Sequence, residues 1–370
     1  SMSIPAALIQ RPGLVRAAMY SRFIDAYGQQ GAAILPEGTR EVPQTLVDAA
    51  FWILSHSPNA KLRPGVIKRV RAWALDLRRV GFPSAEFPAV ANMLADASAA
   101  DSQSREILVA VAETMRTAVE EADLAGIPAA SAAQITEVAP AGGTDSGVTI
   151  VQLEAGIQVD YAPGQVLPVM QVGRQGVWRG LAPALPSNSF GQLEFHVDGE
   201  IEPEAGTYLT LGAARGPSPV LDCEQAMIAA VGTGWAAAKA MLFGILERET
   251  RPDVHLLIGA DTTDELYDLR TIGALNQAHD WLTVTCAVTD GEDAGPAKEA
   301  GLNHVWAPLS AFLAGAGTWW GREVVLCGTK ARTDELVRSL HAAGAERAQN
   351  GITVVAHDAQ FDWATPPDEG

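Results

Sequence analysis

The sequence predicts a multidomain α+β protein with three parts: an all-helical domain over residues 1–125, a small antiparallel β-barrel over 148–216 and an α/β domain with a parallel sheet over 217–370. Three observations support this. The first part shows 3.6-residue periodicity, the second contains short strand-like runs broken by turns, and the third alternates strand-like and helix-like segments. A chain of 370 residues is long enough for two or three domains.

The most informative helix of the first domain is predicted from residue 64 to about residue 80. Pro64 is a favoured first-turn residue, and Gly81 stands where the helix should end. Apolar side chains form one stripe along this helix: Val66, Val70, Trp73, Leu77 and Val80. Its cationic side chains share a separate face: Lys68, Arg71, Arg78 and Arg79. Such a face is either a solvated helix surface or a docking surface for an acidic partner.

The middle of the chain is predicted to begin with a linker. Residues 126–147 are rich in Ala, Gly, Pro and Ser and are assigned to this linker and the start of the barrel. Short strands at close spacing, as found after it, are typical of a small antiparallel barrel. The predicted strands are 148–153, 156–161, 166–172, 193–197 and 208–211.

The last part alternates strands with helices, which implies a parallel sheet covered on both faces. Gly232, Thr233 and Gly234 form a tight loop between a strand and a helix. The N–H groups and dipole of such a helix start can hold a pyrophosphate, but glycines also serve simple tight turns, so the signal is weak. The predicted strands are 225–231, 254–259, 282–288, 323–327 and 353–356, and the helices are 236–248, 263–278 and 333–343.

Charge is distributed unevenly along the chain, whose formal net charge is −18. Residues 1–125 hold 13 basic and 13 acidic side chains, and the remainder holds 13 of the 26 basic and 31 of the 44 acidic ones. A surface that binds phosphates needs a positive field, so we expect no nucleic-acid partner. The chain contains no apolar run of about 18 residues, so no membrane span is predicted.

The cysteines and the N-terminus favour a cytoplasmic protein. Cys223, Cys286 and Cys327 are widely spaced with no CxxC pair, which predicts neither a disulfide framework nor a zinc site. The first residues show no basic segment followed by an apolar run.

Segments along nearly the whole chain resemble the flavohaemoglobins, in which a globin is fused to a ferredoxin-reductase-like module. Residues 19–23 resemble the family's F-Y-x-R stretch, and residues 163–165 its P-G-Q. Residues 230–234 resemble G-G-T-G, 264–269 resemble D-D-L-Y-D-L, and 327–329 resemble C-G-P. The resemblance implies a globin-like domain, an FAD-binding-type barrel and an NAD-binding-type α/β domain. It also implies an enzyme that passes electrons from nicotinamide through flavin to haem.

The helical domain departs from the family at the haem ligand. Residues 78–82 and 86–90 resemble the loop after the ligand helix, and this register places Leu77 where the family has its ligating histidine. Leucine cannot coordinate iron. The domain's only histidine, His56, is expected in a surface turn. We therefore expect no haem.

The flavin segments depart as well. Where the family has R-x-Y-S, the chain reads Arg179-Gly180-Leu181-Ala182, so only Arg179 is kept. Residues 198–204 replace the helix start that holds the flavin diphosphate, and their four carboxylates oppose an anion. Thr329 also replaces the proline of C-G-P. We expect no FAD, while NAD(P) binding at Gly232, Thr233 and Gly234 stays open.

Other patterns point to little chemistry. The remaining histidines show no metal-ligand spacing, and no GxSxG or GK[ST] motif is present. His357-Asp358 is either a carboxylate-paired site or a structural pair at a strand end. Trp319-Trp320 either packs against the α/β domain or forms an exposed aromatic anchor.

We therefore expect a non-catalytic flavohaemoglobin-like protein, a pseudoenzyme that has lost its haem and flavin sites. It would act as a scaffold or adaptor for a cytoplasmic partner protein, which would be acidic if it docks on the cationic helix face. A homo-oligomer is also open. One alternative is an NAD(P)H-dependent oxidoreductase with atypical cofactor binding. Another is a sensor that binds a small ligand in the emptied haem pocket or at the Gly232 loop.

Overall fold

The computed structural model describes residues 4–141, 146–290, 295–315, 319–345 and 351–359. The three parts follow in the predicted order: a helical domain, an antiparallel sheet and a parallel sheet covered by helices. The predicted fold class is confirmed.

Six helices build the helical domain, and their apolar faces share one core. The longest helix begins at a capped end, where the Asp101 carboxylate accepts the backbone N–H of Ser104 at 2.7 Å. The helices are α1 (Ala6–Gln10), α2 (Pro12–Ala32), α3 (Gln44–Ser55), α4 (Pro64–Leu77), α5 (Phe87–Ala97) and α6 (Ser102–Leu124).

The helix predicted from residue 64 to about 80 is present as α4 and one further turn. Pro64 occupies its first turn, and a 3₁₀ turn, Arg78–Val80, follows Leu77. Gly81 ends the segment with a φ of +77°, a left-handed conformation that favours glycine. Val66 and Val70 of the predicted apolar stripe are buried in the domain core.

The middle part is a six-stranded antiparallel sheet with the order β4-β3-β6-β1-β2-β5. The backbone N–H of Ala184 donates to the carbonyl of Glu194 at 2.8 Å, which draws the two edges of the sheet together at one end. The sheet is therefore curled into a half-barrel, which we call the barrel. Its strands are β1 (Ser131–Pro140), β2 (Thr149–Ala155), β3 (Leu167–Gln171), β4 (Trp178–Leu181), β5 (Gln192–Val197) and β6 (Tyr208–Leu211).

Two predictions for this region need correction. The segment 126–147, assigned to the linker and barrel start, contains β1, which lies between β6 and β2; residues 142–145 of the segment are outside the described residues. Ala133 and Ile135 of β1 are buried. The strand was not predicted because alanine and proline, which occur in it, have low β-propensity. Residues 156–161, predicted as a strand, form bends and irregular chain, and β4 was not predicted.

The last part is a six-stranded parallel sheet with the order β10-β9-β8-β7-β11-β12. Its strands are β7 (Gln225–Val231), β8 (Asp253–Ala260), β9 (Leu282–Val288), β10 (Asn303–Trp306), β11 (Glu323–Gly328) and β12 (Ile352–Ala356). Its helices are α7 (Trp235–Leu246), α8 (Leu269–Ala278), α9 (Gly295–Glu299), α10 (Leu309–Gly315) and α11 (Lys330–Ala342).

The parallel sheet has a core on each face. One core joins α7 and α8 to the sheet and also includes barrel residues, among them Val148, Val166 and Ala182. The other core joins α10 and α11 to the opposite face. The barrel therefore packs on the side of the sheet that carries α7.

The sequence analysis missed three elements of this domain: α9, β10 and α10 lie between β9 and β11. β10 is an exposed edge strand without the apolar run that marks a buried one. The predicted helix 263–278 is divided into a 3₁₀ turn, Thr263–Glu265, and α8.

Within the described ranges, no helix combines the length and apolar character needed to cross a membrane.

Candidate functional site

The end of α4 carries the first candidate position. Leu77 is partly buried and packs, with Trp73, against the core of the helical domain. Both residues belong to the predicted apolar stripe. The side chain of Leu77 has no nitrogen, oxygen or sulfur atom that could bind a metal.

His56 lies directly after α3, where the sequence predicted a surface turn. It is exposed, and its Nδ1 atom is 2.8 Å from the carbonyl oxygen of Trp52. The imidazole stacks on the Trp52 ring with centroids 4.2 Å apart. These contacts hold His56 against its own helix.

The flavin-like segment lies on β4. Arg179 is exposed and stands opposite Val169 of β3 in the sheet register. Gly180, Leu181 and Ala182 are buried and offer no side-chain hydrogen-bonding group.

The segment that joins β5 to β6 is short. Residues 198–207, all of them described, contain no helix, as the sequence predicted. The Glu200 carboxylate accepts the backbone N–H of Asp198, and Glu202 pairs with Arg174 at 2.8 Å. These carboxylates therefore interact with the chain itself.

The Gly232–Gly234 turn follows β7 and leads into α7. Gly232 has a φ of +58°, and a side chain at Gly234 would overlap the carbonyl of Cys327 on β11. The fold therefore requires glycine at both positions, at Gly232 for its backbone conformation and at Gly234 for the close approach of β11. The Thr233 hydroxyl is 3.3 Å from Nε2 of His357, so the turn also contacts the end of β12.

His357 and Asp358 do not form a pair with each other. The Asp358 carboxylate accepts the N–H of Lys330 at the start of α11, at 2.6 Å. His357 is buried and lies 3.9 Å from a carboxylate oxygen of Glu200 in the barrel. Burial lowers the pKa of His357, although the charges of Glu200 and Asp358 oppose that shift. Asp358 therefore has a structural role at the start of α11. The carboxylate near His357 is that of Glu200, which belongs to the barrel.

Sequence reasoning missed a buried charged cluster between the barrel and the α/β domain. The Glu194 carboxylate of β5 contacts Lys239 of α7 and His196 of its own strand, each at 2.7 Å. His196 also contacts the Tyr267 hydroxyl at 2.8 Å. The only signal in the sequence was Lys239, a charged residue within the otherwise apolar segment of α7. Charged residues are rarely buried without a partner.

The predicted cationic face is divided in the structure. Lys68 is exposed, but the other three side chains have partners within the chain. Arg71 pairs with Glu121, Arg78 pairs with Asp123 and donates to the carbonyl of Ile127, and Arg79 pairs with Asp76. These four residues therefore do not present one free cationic surface, and three of them hold neighbouring parts of the chain.

A second charged contact, also missed, joins the helical domain to the barrel. Asp76, next to Leu77 on α4, pairs with Arg79 at 2.6 Å and with Arg215 of the barrel. The Arg79 guanidinium lies 5.0 Å from the ring centroid of Trp178 on β4. Burial lowers the pKa of Arg215, and the charge of Asp76 opposes this.

The remaining candidates divide between core and surface. Trp319 is buried against the α/β domain, which fits the packing interpretation, and Trp320 is exposed. The three cysteines are free thiols, as the sequence predicted. In the part of the chain that the structure describes, no group of His, Cys, Asp or Glu side chains is arranged to hold a metal ion.

Comparison with solved structures finds the same architecture. A flavohaemoglobin from Malassezia yamatoensis with bound FAD and haem superposes with a TM-score of 0.63, over 95% of this chain and 97% of its own, at 15% sequence identity. The chain has the flavohaemoglobin fold. A cytochrome P450 reductase from Amycolatopsis matches 62% of this chain and 69% of its own, at 20% identity and a TM-score of 0.51. No protein-family model and no curated protein matches the sequence.

Within this flavohaemoglobin fold, the residues present do not fit an axial haem ligand. The resemblance places Leu77 at that position, and its side chain packs as an apolar residue of the helical core. His56, the one imidazole of the domain, is exposed and stacked on Trp52. Leu77 therefore offers no nitrogen donor, and the imidazole of His56 is held against α3.

The residues of the flavohaemoglobin-type barrel do not fit a flavin in the family's manner. Arg179 keeps a charge that could face a phosphate, but the next three residues supply no hydroxyl. The segment 198–207 supplies carboxylates where the family has a helix start. The Gly232–Gly234 turn fits a pyrophosphate better, because it stands before a helix at the carboxyl end of a parallel strand.

Proposed function

We propose that this protein does not transfer electrons through haem and flavin, and that it works as a scaffold or adaptor which binds a partner protein. One observation carries the proposal. Leu77, which the resemblance aligns with the haem ligand, is partly buried against the helical core and has no donor atom. A chain of electron transfers stops when one carrier is missing.

The barrel adds support from a different domain. The acidic segment 198–207 opposes the binding of a flavin diphosphate on this surface, and Leu181 and Ala182 supply no hydroxyl to hold one. The α7 side of the parallel sheet packs directly on barrel residues, so this junction is protein core.

Cofactor titration tests the proposal. Purified protein is titrated with haemin and with FAD, the free cofactor is removed, and absorption spectra are recorded. We expect neither a Soret band nor flavin bands at stoichiometric occupancy. Either band at one equivalent would refute the proposal.

Leu77→His is the matched variant for that titration, because it places an imidazole at this position and changes one side chain, although it also removes the apolar contact of Leu77 with the core. A Soret band in the variant alone would assign the loss of haem to Leu77. Apomyoglobin serves as the positive control for haemin delivery.

The second candidate is an NAD(P)H-dependent oxidoreductase with atypical cofactor binding. The Gly232–Gly234 turn favours it, since Gly232 is exposed and Thr233 is half-buried. Thermal-shift measurements with NADH and NADPH test nucleotide binding. An increase in melting temperature with NADH or NADPH, without uptake of flavin or haem, would favour a sensor that binds the nucleotide, because the protein would still lack an electron acceptor.

The identity of the partner stays open. The expectations of a cytoplasmic location and of an acidic partner stay predictions, and Lys68 is the exposed member of the predicted face. Chemical cross-linking in extracts of wild type, Lys68→Glu and the control Lys330→Glu tests the face. We expect reduced capture of a partner with Lys68→Glu only, and equal capture by all three proteins would remove α4 from consideration.

A further inference from the structure

The junction between the barrel and the α/β domain contains a connected set of buried polar side chains from three elements. β5 supplies Glu194 and His196, α7 supplies Lys239, and the segment before α8 supplies Tyr267 and Asp268. Glu194, His196, Lys239 and Tyr267 are all buried. The feature therefore joins two domains through groups that have lost their contact with water.

The contacts form a continuous chain across the junction. Lys239 Nζ lies 2.7 Å from Glu194 Oε1 and 3.7 Å from Asp268 Oδ2. The indole N–H of Trp235 donates to that same Asp268 oxygen at 2.8 Å. The ammonium of Lys239 is thus placed between one carboxylate from each domain.

His196 completes the chain on the barrel side. Its Nε2 is 2.7 Å from the Glu194 carboxylate, and its Nδ1 is 2.8 Å from the Tyr267 hydroxyl. The imidazole thus links the Glu194 carboxylate of the barrel to the Tyr267 hydroxyl of the α/β domain. Burial raises the pKa of Tyr267, and the nearby carboxylates raise it further, so the hydroxyl keeps its proton.

The electrostatics favour a charged Glu194. Burial alone would raise its pKa, but the hydrogen bonds from His196 and Lys239 and the charge of Lys239 outweigh burial and lower the pKa to about 2. A buried ion pair of this kind does not make a fold more stable than apolar packing would. Removing one partner, however, leaves the other charge buried and uncompensated.

An apolar core surrounds the polar chain. Val148, Val166 and Ala182 of the barrel belong to the same core as Ala238 and Leu242 of α7. Interfaces between domains of one chain are ordinarily polar and permit relative motion, unless they are large and hydrophobic. Here apolar packing and a satisfied charged network occur together.

We infer that Glu194, His196, Lys239, Tyr267 and Asp268 form an interdomain latch, which makes the barrel and the α/β domain open and unfold as one cooperative unit. Separation of the domains would leave Lys239 and Glu194 without each other, and would also expose the shared apolar core. The latch is independent of whether the protein binds a cofactor or a partner.

Hydrogen exchange of the full chain at increasing urea tests the latch. The readouts are the exchange midpoints of β2 in the barrel and of β8 in the parallel sheet, measured on peptides by mass spectrometry. In wild type we expect one shared midpoint. In Lys239→Met we expect two, with β2 exchanging about a hundredfold faster than in wild type at equal urea, as breaking a buried pair implies.

Two controls separate a latch from simple destabilisation. Leu340→Ala weakens the α/β domain from the face opposite the barrel, so it should lower the β2 and β8 midpoints together. Arg332→Met removes an exposed pair with Asp261 inside one domain and should leave the shared midpoint in place.

Tyr267→Phe is the milder variant if Lys239→Met does not fold. It removes only the hydroxyl that contacts His196, so the two midpoints should separate by a smaller amount. Separate midpoints in wild type, or a shared midpoint in both latch variants, would overturn the inference.

Discussion

The two domain junctions of this chain both use charged side chains, but they place them at different depths. At the barrel and α/β junction, the Lys239 and Glu194 side chains are 9% and 7% exposed. At the helical-domain and barrel junction, the Arg215 and Asp76 side chains are 21% and 19% exposed. Burial strengthens an ion pair and raises the cost of breaking it, so the inner junction should be the more rigid.

The outer junction matters for function because of where it lies. Asp76 directly precedes Leu77, the residue that the resemblance aligns with the haem ligand, and its carboxylate pairs with Arg215 of the barrel. The difference between the junctions indicates that the helical domain is the more easily detached module.

The largest expected effect comes from breaking the inner pair. Glu194→Gln removes the charge that compensates Lys239, and His196 loses a strong acceptor. We expect the free energy of unfolding to fall by about 3 kcal/mol. Urea denaturation followed by circular dichroism measures it, and a loss no larger than that of Asp76→Asn at the outer junction would contradict the comparison.

Acid provides a second way to weaken the inner junction. The pKa of Glu194 is lowered from 4.5 to about 2, so its contribution to stability is complete above pH 4.5 and is lost as the pH falls toward 2. We expect the stability difference between wild type and Glu194→Gln to shrink across that range. Denaturation series of both proteins from pH 6 downward, at about 0.1 M ionic strength, check this. A stability difference between the two proteins that stays constant with pH would contradict a stabilising role for the ionised Glu194.

A smaller effect is expected at the outer junction. Asp76→Asn leaves Arg79 and Arg215 facing each other without the carboxylate they share. Because these groups keep some contact with water, we expect a loss of about 1–2 kcal/mol. Limited proteolysis should also release the helical domain earlier in this variant than in Glu194→Gln. The reverse order would invert the comparison.

The smallest effects concern the cationic residues near the helical domain's end. Arg78→Ala removes contacts to Asp123 and to the Ile127 carbonyl and should cost about 1 kcal/mol. Lys68→Ala removes an exposed side chain and should change stability by less than about 0.5 kcal/mol. Thermal denaturation of both variants tests this, and equal shifts would show that Arg78 is no more structural than Lys68.

Much of the fold could be predicted from the sequence, because the strands and helices that face a core have clear periodicity. The strand 225–231 and the end of the helical segment at Gly81, one turn after α4, are examples. β1 could not be predicted, since an Ala- and Pro-containing strand resembles a linker in composition. The presence of an apolar residue, Leu77, at the position aligned with the haem ligand could be predicted from the sequence and its resemblance to the family.

The charged contacts could not be predicted in the same way. Arg71 and Arg78 pair with Glu121 and Asp123 of α6, and the sequence does not show how close α4 and α6 lie. The pair between Arg79 and Asp76 is an exception, because it has i,i+3 spacing and could have been predicted from the sequence. Glu194 and Lys239 are 45 residues apart, and only the packing of β5 on α7 brings them together.

The most direct test of the account is NADH oxidation under aerobic conditions with haemin, FAD and nitric oxide supplied. Rates are compared with and without the protein, and a flavohaemoglobin serves as the positive control. We expect the protein to add nothing to the rate of the cofactor mixture, because Leu77 has no donor atom for iron and the segment 198–207 presents carboxylates to a flavin diphosphate. Protein-dependent NADH consumption that saturates with NADH and requires both haem and FAD would contradict it.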